Sequence, residues 1–62
     1  MIDNVERNKV ARAMIQWGWG DEFIRNLGET LICADSVNAQ RIQDAFPEYW
    51  ETYLKKSEKQ KE

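Results

Sequence analysis

The chain is 62 residues long, with nine basic and eleven acidic side chains, a net charge of −2, a single cysteine and no histidine. A chain this short buries only about 60% of its unfolded surface, which excludes a second domain and leaves packing or oligomerisation as the source of stability. One thiol excludes an internal disulfide, and without histidine no zinc-binding pattern forms.

Asp3, Asn4, Val5 and Glu6 have the spacing of a capping box, with Asp3 as N-cap and Glu6 placed to reach back to the cap's own N–H. A first helix is predicted to start there. At about 100° per residue, Val10, Ala13, Met14 and Trp17 share one stripe, which Ala11 and Ile15 widen. Gly18 and Gly20 are expected to take left-handed φ and close the helix in a tight aromatic turn. Trp19, between them, either caps the core or projects outward.

Asp21 offers the next N-cap, and Phe23, Ile24, Leu27, Gly28, Leu31, Ile32 and Ala34 fall on one half of the following wheel. Gly28 lies in the middle of that stripe, where it costs roughly 1 kcal/mol against alanine; a second helix crossing closely accounts for it. Cys33 falls on the polar side near the C-terminal end, where the helix dipole opposes a thiolate. It reads as an inert residue covered by the third helix or by a subunit partner.

Asp35 and Ser36 supply a third cap, after which Ala39, Ile42, Ala45 and Phe46 resume helical spacing. Pro47 lacks an N–H and disfavours the α conformation at Phe46, so this helix kinks there or gives way to a short fourth one; a break is favoured. Tyr49, Trp50, Tyr53 and Leu54 continue the apolar side. From Lys55 onward the chain carries no apolar residue, and residues 55–62 are expected to form a charged, disordered tail behind a single helical domain of residues 1–54. The fold class is all-α, a small bundle of three helices with the third broken or kinked at Pro47.

Catalytic chemistry finds few candidates. No histidine can serve as base for Cys33 or a serine, and carboxylates such as Glu48 and Glu51 need a concave dry pocket that so short a chain can hardly enclose. The chain reads as non-enzymatic, with no cofactor and no metal ligand set. No apolar run approaches the length of a membrane span or a signal core, and with Met1 in first place the expectation is a stand-alone cytoplasmic product.

Charge bears on nucleic acid. Residues 1–20 carry three basic and two acidic side chains (net +1), residues 21–54 two and seven (net −5), and residues 55–62 four and two (net +2). A phosphate-binding surface needs clustered cations, and the second and third helices contribute only Arg25 and Arg41. Aligned on Leu27 and Gly28, a helix-turn-helix would place Ile32 at the turn glycine and Asn38 and Arg41 at buried apolar positions, so that match fails. A dimeric DNA-binding regulator using Arg7, Lys9, Arg12 and the tail remains an alternative, as does a structural subunit.

Aromatic residues are the informative excess, because tryptophan and tyrosine dominate contact energies at interfaces. Trp17, Phe23 and Phe46 lie on apolar stripes and are expected inside. Tyr49, Trp50 and Tyr53, flanked by Glu48 and Glu51, form a patch that closes the core or meets another protein. Trp19, Glu48, Tyr49, Trp50, Glu51 and Tyr53 are therefore the interface candidates, and a homodimer is expected.

The segment from Ala34 to Trp50, with its Asn38–Arg41 helix running into Ala45-Phe46-Pro47-Glu48-Tyr49-Trp50 and then Tyr53, resembles a pattern in small phage and prophage proteins. That resemblance covers the C-terminal half and implies a viral or mobile-element context. It carries no catalytic residue. It implies a protein that binds a host or viral macromolecule, including inhibitors of host defence or nucleic-acid-processing complexes.

Overall fold

The computed structural model describes residues 2–18 and 20–59, with the backbone alone for Lys59. These residues form four helices: α1 (Asn4–Trp17), α2 (Glu22–Ile32), α3 (Ser36–Ala45) and α4 (Pro47–Lys59). The expected third helix is thus two, divided at Pro47.

Local chemistry starts each of the first three. The carboxylates of Asp3, Asp21 and Asp35 accept the N–H of Glu6, Ile24 and Asn38 at 2.8, 3.3 and 2.8 Å, each satisfying one otherwise orphaned donor. Only half of the expected capping box forms, because Glu6 turns its own carboxylate to another partner, described below. Pro47 opens α4 as its first residue, where the missing N–H costs nothing.

Packing centres on α1, whose Val10, Ala11, Ala13 and Met14 are buried between α2 and α4. Gly28 makes the α1–α2 crossing close. A Cβ there would stand 2.8 Å from Met14 Cβ and 2.9 Å from the Ala11 carbonyl oxygen. Ile2 ahead of α1, Ile24, Leu31 and Ala34 from α2 and its exit, Ala39 from α3, and Trp50 from α4 complete the core. The Arg7 guanidinium donates to the Ala34 carbonyl oxygen at 2.6 Å, tying α1 to the α2–α3 connection.

Several expectations are corrected. Trp17 and Phe23 are 45% and 51% exposed, not interior. Trp17 ends α1, and Phe23 stands to one side of the Ile24–Gly28–Leu31 line that meets α1. Gly18 keeps an ordinary φ of −84° and is small for packing: a Cβ would lie 2.5 Å from the Met14 carbonyl oxygen and 3.0 Å from Ile24 Cγ2. Gly20 alone has positive φ, +80°. The tail expected to be disordered from Lys55 is helical as far as Lys59, and residues 60–62 lie outside the described residues.

Candidate protein-docking surfaces

Two concave surfaces meet at the α3–α4 junction. Phe46 closes α3 by donating its N–H to the Ile42 carbonyl at 2.9 Å, and opens α4 by accepting the Trp50 N–H at 3.0 Å. Its φ and ψ of −132° and 61° swing the chain between the two helices, outside the α region that a following proline disfavours.

That swing brings Phe46 and Tyr49 beside Phe23 of α2. Phe23 meets Phe46 edge-on, centroids 5.7 Å apart at 67°, and Phe46 stacks on Tyr49 at 5.8 Å and 23°. Phe23 and Tyr49 are 6.3 Å apart. These spacings fall within the range of favourable ring contacts, yet much of Phe23 and Tyr49 remains open to water. The rings line a cavity with Ala45, Pro47 and Glu48. A second cavity, lined by Thr30, Cys33, Ala34, Asn38, Arg41 and Ile42, shares Ala45 and Phe46 with the first. The two cavities adjoin at these shared residues as one groove, Arg41 lining only the half that holds Cys33 and Glu48 only the half that holds Phe23 and Tyr49.

On another side of the junction, Glu6, Gln43, Asp44 and Glu51 line a dish that includes Pro47, Trp50 and Leu54. Its charged lining residues are all acidic. The Trp50 indole N–H donates to Glu6 Oε2 at 2.9 Å, joining α4 to α1, and the Gln40 amide donates to Asp44 Oδ1 at 3.0 Å. Among the described residues no three Cys, Asp or Glu side chains gather closely enough to hold a metal ion, so the dish presents dispersed negative charge.

The interface candidates divide between these surfaces. Glu48 and Tyr49 are exposed in the groove, whereas Glu51 is exposed at the dish. Trp50 is only 3% exposed, so its bulk belongs to the core and only its margin lines the dish. Tyr53 is half-buried; burial pushes its phenol pKa up, and Asp21 and Tyr49 add to the shift. Trp19 lies outside the described residues. Phe23, Phe46, Glu6, Asp44 and Arg41 enter the surfaces without having been singled out as interface residues.

Cys33 is exposed, so α3 does not cover it as one reading expected. Its thiol points at the Thr30 and Glu29 carbonyl oxygens at 3.3 and 3.6 Å. Among the described residues no helix is long and apolar enough to cross a membrane. No known family, curated protein or solved structure matches the chain.

Proposed function

We propose that this chain is a non-enzymatic accessory protein of the small phage type that binds a host or viral protein stoichiometrically, inhibiting a nucleic-acid-processing or defence complex. The observation that supports this reading is the dish of Glu6, Asp44 and Glu51, in which carboxylates surround the margins of Trp50 and Leu54 without a cation among them. An apolar floor with an acidic rim suits arginine and lysine, whose stems lie on apolar surface while their charged ends meet carboxylates. A cleft built to hold nucleic acid presents such side chains, and an acidic protein can occupy it in place of phosphate.

Pull-down from infected and uninfected cells tests the reading, comparing wild type with Asp44→Lys and Glu51→Lys. Trp50 is left intact because it belongs to the core. A specific protein held by wild type, released by salt and lost with the reversed charges is the expected result. Equal capture by the folded variants, or capture of nothing specific, removes the proposal.

The DNA-binding alternative is less favoured, because Arg7 spends its guanidinium on the Ala34 carbonyl and on Asn8. Among the α1 cations that leaves Lys9 and Arg12 for phosphate. A mobility shift at low salt that fades steeply as salt rises would favour the regulator instead.

A further inference from the structure

We infer that the groove crossing Ala45 and Phe46 is a self-association surface, covered by a second copy of this chain about a two-fold axis. This goes beyond the acidic dish and rests on different residues. The groove exposes about half of Phe23 and a substantial part of Tyr49 beside Phe46, with Ala45 also open to solvent. Contiguous ring surface of this kind marks an interface more often than a solvated face.

Charge selects the occupant. Arg41 lines the half of the groove towards Cys33, and Glu48 the half towards Phe23 and Tyr49, with Ala45 and Phe46 common to both halves. Among the described residues neither the Arg41 guanidinium nor the Glu48 carboxylate has a hydrogen bond or ion pair within the chain. A uniformly basic or uniformly acidic partner would match one end and be opposed at the other. A two-fold axis through the shared middle sets Arg41 of each copy opposite Glu48 of the other, so the strip complements itself. The rings of each copy then lie over the Cys33 end of its mate. That arrangement keeps the two thiols away from the axis and shields each beneath the other copy's aromatic residues.

The test is charge exchange followed by sedimentation over a wide concentration range at low salt. Wild type is expected to pass from monomer to dimer. Arg41→Glu and Glu48→Arg are each expected to weaken self-association by about tenfold or more, since each sets like charges against one another twice. An equimolar mixture of the two variants should recover dimer, because one copy then carries only acids at both ends and the other only arginines. Phe23→Ser, at an exposed position, should weaken the wild-type dimer without reversing any charge. Near-ultraviolet circular dichroism of the buried Trp50 confirms that each variant is folded, and alkylation of Cys33 should slow as wild-type concentration rises.

A wild type that stays monomeric at every concentration overturns the inference. So do single reversals that dimerise as well as wild type, or a mixture that associates no better than its components. If the lysate partner is captured and depends on Asp44 and Glu51 while no dimer forms, the function proposed above stands and the self-association fails alone.

Discussion

The indole N–H of Trp50 donates to the Glu6 carboxylate at 2.9 Å, a bond between residues 44 positions apart in the chain. Among the described residues it is the one side-chain hydrogen bond from α4 to α1, and it places an acidic oxygen against the floor of the dish. Replacing Trp50 with phenylalanine should remove both the donor and part of the packing, at a cost of about 2–4 kcal/mol. Glu6→Gln keeps an acceptor and should cost about 1 kcal/mol or less. Urea denaturation of both variants checks the ordering; equal losses would show that the bond contributes little beyond ring burial.

Gly28→Ala runs against helix propensity. Alanine in an exposed helical site would gain about 1 kcal/mol, but here its methyl would press on Met14 Cβ and the Ala11 carbonyl oxygen, both under 3.0 Å away. The expected net result is a loss of about 1–3 kcal/mol as α1 and α2 are forced apart. Gly20→Ala has open space around it and should lose about 1–2 kcal/mol for a different reason, its φ of +80°. Thermal melts distinguish the two, because Met14→Gly removes the Cβ that the new methyl presses on and, in a double-mutant cycle with Gly28→Ala, should lessen its penalty, whereas nothing at Met14 should alter that of Gly20→Ala.

Arg7→Ala should destabilise by about 1–2 kcal/mol. The guanidinium serves the Ala34 carbonyl at 2.6 Å, at the point where α2 ends and α3 has not begun. Arg7→Lys is expected to recover only part of the loss, since a single ammonium cannot also reach Asn8 as the fork does. Hydrogen exchange of the amides around residues 33–36 is the local readout.

Tyr53 predicts a loss of stability in alkali. Its phenol pKa is raised above 10.0 by burial, then by the charges of Asp21 and Tyr49, so the folded protein favours the neutral form. The contribution is fully present below the unfolded pKa and disappears as pH rises through the folded one. Denaturation at about pH 8 and about pH 11 should show a fall that Tyr53→Phe makes smaller. An unchanged fall in the phenylalanine variant would assign the alkaline transition to other groups.

Much of the architecture could be read from local chemistry. Asp3, Asp21 and Asp35 act over three residues, Pro47 restricts its immediate neighbour, and Gly28 announces a close crossing because nothing else explains a glycine in the apolar stripe. What escaped the sequence was tertiary. A wheel shows which face is apolar but not how much of it a neighbour covers, so Trp17 and Phe23 were expected inside although α1 ends at one and the α1–α2 contact passes beside the other. The same limit hid the bond that draws Trp50 inward, since its acceptor, Glu6, carries a local capping pattern. The groove escaped for a further reason: Phe23, Arg41 and Glu48 come from three helices, and the cavities they line adjoin only at Ala45 and Phe46, where the chain turns.

Helix α4 supplies Glu48 and Tyr49 to the groove, Trp50, Glu51 and Leu54 to the dish, and Pro47 to both. A polypeptide whose last helix has not yet closed over α1 therefore displays neither surface in finished form. On the proposals above, engagement of another molecule would then wait on completion of folding, and immature chains would be mute.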